Sequence, residues 1–191
     1  MSINLSKGQK VDLTKTNPSV KIFGVGLGWD TNNTSTGGDF DLDASAFILD
    51  ANNKLLSDNH FVFYNNLKSP DGAVIHSGDN RTGQGDGDDE TVSVEIAKLA
   101  AEAARINFVV TIHEAEQRRQ NFGQVRNAFI RIFDKETGTE IMRFDLGEDY
   151  SVETAMTFGA IYKRDGEWRF EATGSGQQGG LKKYVEDYGL N

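Results

Sequence analysis

Two short segments carry most of the chain's reactive chemistry, and both are carboxylates. The first runs from Asp30 to Asp43 and holds Asp30, Asp39, Asp41 and Asp43 with no basic residue among them. The second, "GDNRTGQGDGDDE" from Gly78 to Glu90, holds Asp79, Asp86, Asp88, Asp89 and Glu90, with four glycines and only Arg81 as a counter-charge. These nine acids, less one arginine, account for -8 of the net charge of -9. Like charges this dense repel, and a bound cation would relieve that repulsion; the alternative is a pair of solvated acidic turns. In a strand, Asp41 and Asp43 would share a face about 6.5–7 Å apart, a spacing that lets both lean onto one ion. Calcium takes six to eight oxygens from carboxylates, amides and backbone carbonyls. Asn65, Asn66 and Asn80 offer amide oxygens, and the glycines let the chain turn its carbonyls inward. His and Cys are absent from both segments, which disfavours zinc, copper and iron. The expectation is one or two Ca²⁺ ions between the two acidic loops.

The pattern is not an EF-hand. Counting from Asp86, the sixth position is Thr91 where that loop requires glycine, and strand patterns flank it. Nor is "GVGLGW" a dinucleotide motif. The third glycine of GxGxxG would fall on Trp29, and the acids that follow would repel a pyrophosphate. The three histidines, His60, His76 and His113, have no cysteine or GxSxG serine to activate. His76, three residues ahead of Asp79, is placed to contact the acids from behind. Arg118 and Arg119 read as a solvated helix face.

The elements that must position these acids are mostly strands. Val20–Trp29, Phe40–Asp50, His60–Asn65, Thr91–Ile96, Arg105–His113, Asn127–Asp134 and Thr139–Leu146 are β-rich, with turn signals between them. Ala155–Thr173 reads as a hairpin joined at Asp165-Gly166. Short helices are expected over Ala97–Arg105, Glu114–Val125 and Gly180–Tyr188. The fold class expected is mainly β, a β-sandwich with a few short helices, in a single domain over residues 1–191. A 37% hydrophobic content with twelve Phe supplies a core. The acidic balance disfavours nucleic acid as a partner, since binding it relies on basic surface. The absence of cysteine fits a reducing compartment. No signal-peptide pattern opens the chain, and no apolar run nears the ~18 residues of a membrane span.

Together "GLGWD", "FDLDASAF", "FVFYNNLKSPDGAV", "HSGDNRTGQGDGDDE" and "FGQVRNAFIRI" resemble the TerD family of tellurium-resistance and stress-response proteins, over essentially the whole chain. The resemblance implies a calcium-binding β-sandwich that is not an enzyme. It also implies resistance to tellurite, phage and colicins, exercised with other Ter proteins including the membrane protein TerC. The location implied is cytoplasmic or peripheral at the inner membrane. The metal positions it implies are Asp30, Asp41, Asp43, Asn65, Asp79, Asp86, Asp88, Asp89 and Glu90, with the carbonyls of Gly83 and Gly85. A calcium-dependent contact with anionic phospholipid, and a calcium-assisted hydrolase, are the alternative readings.

Overall fold

The computed structural model describes residues 2–31, 40–78, 87–147 and 150–190. Twelve strands run in the order β1 (Ile3–Asn4), β2 (Lys10–Asp12), β3 (Phe23–Thr31), β4 (Leu42–Leu49), β5 (Phe61–Val62), β6 (Val74–His76), β7 (Glu90–Val94), β8 (Arg105–Ile112), β9 (Val125–Asp134), β10 (Glu140–Asp145), β11 (Ala155–Arg164) and β12 (Glu167–Gln177). Among the described residues two α-helices accompany them, α1 (Ala115–Arg118) and α2 (Gly180–Asp187).

The strands form two six-stranded sheets, ordered β1-β10-β9-β3-β7-β6 and β2-β12-β11-β8-β4-β5. The β1–β10 pair is parallel, and the other described pairings are antiparallel. Strand alternation sends Phe23, Val25, Leu27 and Trp29 of β3 inward, with Val92 and Val94 of β7 and Ile130 and Ile132 of β9. They meet Ala44, Ala46 and Ile48 of β4 and Ile106, Phe108 and Val110 of β8 in one shared core. The expected β-sandwich is therefore the architecture found. β4 is buried along its whole length because its other face is covered too. There α2 lays Tyr184 over Phe47, Phe61 and Val109, forming a second, smaller apolar cluster. Tyr184 also hydrogen-bonds Thr157 at 2.9 Å, and the Tyr188 hydroxyl accepts from Asn107 at 2.7 Å.

The Asp165-Gly166 hairpin forms as expected, with φ of 53° and 80° at its two central residues, the left-handed pair that a two-residue turn of this kind requires. Three expectations need correction. No helix forms over Ala97–Arg105: a single 3-10 turn at Ile96–Lys98 gives way to extended backbone at Leu99. The amide of Ala100 donates to Asp71 at 2.9 Å, and that of Ala104 to the Leu49 carbonyl at 2.8 Å. Tertiary hydrogen bonds and the burial of Ala103 thus override good helix propensity. The helix over Glu114–Val125 stops after four residues, because Arg119 turns left-handed at φ 54°. A 3-10 turn at Phe122–Gln124 follows, capped by Asn121. The strand over His60–Asn65 shrinks to Phe61–Val62, since the Asn66 side-chain amide donates to the carbonyls of Asn59 and Phe61 and folds the chain into a turn. No described helix is long and apolar enough to cross a membrane.

Candidate metal centre

The glycines of "GVGLGW" explain the first acid. Gly24, Gly26 and Gly28 alternate with the buried residues of β3, so they face outward from the first sheet. Neighbouring side chains lie across this bare track. A Cβ on Gly24 would sit 2.2 Å from the Phe133 ring, and one on Gly28 would sit 2.3 Å from the Phe129 ring. A Cβ on Gly26 would sit 2.3 Å from the Asp88 carboxylate. Asp88 is therefore stacked onto the sheet between two aromatic rings. There Arg131 grips it with two bonds, Nε to Oδ1 at 2.7 Å and an Nη to Oδ2 at 2.8 Å. Arg131 also stands over the Phe133 ring and reaches Glu140 at 3.6 Å. The carboxylate beside it holds the guanidinium's affinity for its proton above the ordinary value.

Glu90 faces the opposite way. As the first residue of β7 it points between the sheets and is 2% exposed. Its Oε2 accepts the amide N–H of Ala44, on the other sheet, at 2.7 Å. His76, on the edge strand β6, completes the contact. Its Nδ1 accepts from the Gly78 amide at 2.9 Å, so the ring proton resides on Nε2. That Nε2–H lies 3.0 Å from the Ala44 carbonyl and 3.1 Å from Glu90 Oε2. Two side chains thus serve both the backbone N–H and the carbonyl of Ala44, which the short strand β5 does not reach.

Asp89 and Asp30 lie at the end of the first sheet. The Asp89 amide donates to the Leu27 carbonyl, and its carboxylate accepts from the Trp29 amide at 2.8 Å. Burial pushes the Asp89 carboxyl above the ordinary value, and the charges of Asp30, Glu90 and Asp88 push it further in the same direction. Asp30 is exposed and accepts from the side-chain amide of Asn127 at 2.6 Å. Asn127 sits at φ 50° where the β3–β9 register slips between Gly28 and Asp30. Such a bulge re-aims side chains at a sheet's rim. The other segment ends on the second sheet. Asp41 precedes β4 and is half-buried, its carbonyl accepting from the His113 amide at 2.8 Å. Asp43 is buried on the outer face of β4, opposite Thr111 of β8. Asn65 is exposed in the turn after β5.

The acids that look like one cluster in the sequence are thus parted among three surfaces. Asp88 is on the outer face of the first sheet, Glu90 is between the sheets, and Asp43 is on the outer face of the second. Asp30 and Asp89 are coupled at the rim. Among the described residues no three carboxylates or imidazoles gather closely enough to hold an ion by themselves. Asp79, Gly83, Gly85 and Asp86, together with Asp39, lie outside the described residues. The donor chemistry is that of a hard cation, since the acids offer only oxygen, and the charges of Asp30, Glu90 and Asp88 all act on Asp89. Sequence reasoning missed Arg131 and Asn127. The period-two glycines were the available signal for Arg131, since a bare strand track has to be filled by a neighbouring strand.

Residues 1–188 match the TerD domain family. The chain is 57% identical over 190 residues to general stress protein 16U of Bacillus subtilis, covering 100% of this chain and 98% of that one. It is 54% identical over 191 residues to tellurium resistance protein TerD of Serratia marcescens, covering 100% and 99%. A solved structure of a homologue of telluride resistance protein (TerD), from Streptomyces coelicolor A3(2), superimposes with a TM-score of 0.70 at 23% identity, covering 87% of this chain and 96% of that one. That likeness speaks to the fold, while the sequence matches across the full length speak to descent: this chain is a member of the TerD family.

Proposed function

We propose that the chain is a calcium-dependent adaptor in the stress response, contributing to tellurite resistance with other Ter proteins, TerC among them, at the cytoplasmic side of the inner membrane. The observation that carries this reading is the placing of Asp30 and Asp89 together at the rim of the first sheet. Asp89 is tied to the end of the first sheet by the Trp29 amide, and burial together with the charges of Asp30, Glu90 and Asp88 raises its carboxyl, so acidic groups crowd this rim. A divalent cation bound there relieves their repulsion. Asp30 and Asp89 would supply ligands at the rim of the first sheet, Asp41 and Asp43 at the end of the second, with Asp79 and Asp86 from the intervening segment. Asp88 and Glu90, already bonded to Arg131 and to Ala44 and His76, would hold the ligands in place. The ion supplies charge and coordination; the chain supplies a rim whose shape depends on it. The names of the relatives above support the stress and tellurite part of this reading.

A strain lacking the gene, complemented with the wild type or with an Asp30→Asn/Asp89→Asn double variant, tests it. On tellurite plates the wild type is expected to restore growth. The double variant is expected not to, although it is present at equal level and folded. Equal rescue by both would overturn the reading.

A further inference from the structure

We propose that His76 is the positioning residue that holds the two acid-rich segments in register with each other. The assignment rests on the calcium reading for its purpose, but not for its geometry. The second segment begins at Gly78 and ends at Glu90, and one imidazole touches both ends. Nδ1 takes the Gly78 amide at 2.9 Å, and Nε2–H reaches Glu90 Oε2 at 3.1 Å. The same Nε2–H reaches the carbonyl of Ala44, the residue after Asp43, at 3.0 Å. His76 therefore joins three points of the chain: both limits of the acidic stretch and the strand that carries the other acid group. It does so from full burial, with 0% of its side chain exposed.

Glycines near either end give such an anchor a purpose. Gly78 has φ 105° and Gly87 has φ 133°, and a Cβ on either would meet nothing within 4 Å. Glycine's own backbone preference is weak, and the imidazole acts beside Ser77, whose amide donates to the Thr91 carbonyl at 2.9 Å and whose hydroxyl accepts from the Thr91 amide at 3.2 Å. The imidazole fixes the direction through two bonds of opposite sense, one accepted and one donated. A lysine, with donors only, could not supply that pair, nor could a carboxylate with acceptors only. No other residue of the second segment's surroundings makes bonds to both Gly78 and Glu90 among the described residues.

The test compares the wild type with His76→Leu, which keeps bulk and loses both bonds, and His76→Gln, which keeps an N–H toward Glu90 and Ala44. Two readouts are taken at a temperature where circular dichroism shows each protein folded. One is calorimetric titration with calcium; the other is the rate of tryptic cleavage after Arg81, relative to other basic sites, in calcium-free buffer. His76→Leu is expected to lose at least tenfold in calcium affinity and to be cut after Arg81 at least tenfold faster. His76→Gln is expected to recover most of both. Wild-type affinity and cleavage rate in His76→Leu would overturn the proposal. If His76→Leu does not fold, wild-type values in His76→Gln and in His76→Asn, which loses the N–H toward Glu90, would overturn it equally. If the wild type binds no calcium, the calcium reading fails, and the cleavage rates alone decide whether His76 holds the segment.

Discussion

The placement of Asp88 over Gly26 makes a quantitative prediction about two residues far apart in sequence. Replacing Asp88 by Ala removes two charge-assisted bonds of 2.7 and 2.8 Å to Arg131. Arg131 is not orphaned, because Glu140 remains at 3.6 Å and its side chain is 24% exposed to water. The cost should therefore lie near the low end for such pairs, about 1–2 kcal/mol, rather than the 3–5 kcal/mol of a stranded buried charge. Gly26→Ala should cost about the same, because its Cβ would fall 2.3 Å from the carboxylate and expel it. The double variant is the informative one. With the carboxylate gone the new methyl has room, and Ala is favoured over Gly in a strand interior by about 0.5–1 kcal/mol. Gly26→Ala should then be neutral or slightly stabilising in the Asp88→Ala background. The coupling energy should be about 1.5–2.5 kcal/mol, well beyond the ~0.5 kcal/mol within which independent sites add. Urea unfolding in chelator, with unchanged m values, measures all four corners of the cycle. Additive effects would mean that Asp88 does not lie on the glycine track.

Further expectations follow from the same geometry. Gly28→Ala should be worse than Gly24→Ala, because its Cβ would meet the Phe129 ring at 2.3 Å and also the Gly87 carbonyl at 2.9 Å, and backbone yields less readily than a ring. A cost of about 1–3 kcal/mol is the usual range for overpacking, read as a lowered urea midpoint; an unchanged midpoint would refute the placement of the track. Asp89 has its native carboxyl raised, so the native state keeps that proton to higher pH than the unfolded chain does. Its contribution is present at low pH and is lost as pH rises from the ordinary carboxylate value through the raised one. Asp89→Asn, which still accepts from Trp29, should therefore melt higher than the wild type at neutral pH in chelator, with the advantage fading in acid. A lower melting temperature at neutral pH would contradict this. Burial lowers the His60 value, and its Nε2 is buried with no hydrogen-bond partner among the described residues. The contribution of His60 is thus present above the ordinary value of 6.5 and lost as pH falls below it. His60→Leu should flatten the melting temperature across that acid range, and an unchanged slope would assign the loss elsewhere.

Much of this fold is legible in the residues. Val25 and Leu27 of β3, and Ala44, Ala46 and Ile48 of β4, declare their inward faces by strand periodicity, and Asp165-Gly166 declares its turn by backbone conformation. These are local signals. What the sequence hides is decided by partners remote along the chain. Ala97–Arg105 has helix-forming residues, yet Asp71 and Leu49 claim two of its amides. β6, three residues long, is too short to carry a period, so the role of His76 was visible only as nearness to Asp79. The acidic segments announce their chemistry through composition. Composition cannot say which face each carboxylate takes. Glu90 turns inward because it opens β7 on that strand's buried side, whereas Asp88 lies outward on a track of glycines supplied by β3. Their sorting is a consequence of pairing between strands some sixty residues apart, as in Leu27↔Glu90.

The central claim is that the acidic rim is completed by calcium. Calorimetric titration of calcium into chelator-stripped protein, with magnesium as control and Asp30→Asn/Asp89→Asn beside the wild type, tests it most directly. The account predicts saturable binding of one or two calcium ions by the wild type and a melting temperature that rises with occupancy, because a ligand of the folded state must stabilise it. It also predicts binding weakened at least tenfold in the double variant, about 1.4 kcal/mol. No heat and no melting shift in the wild type would leave the rim a set of solvated carboxylates, and the proposed mechanism would be wrong.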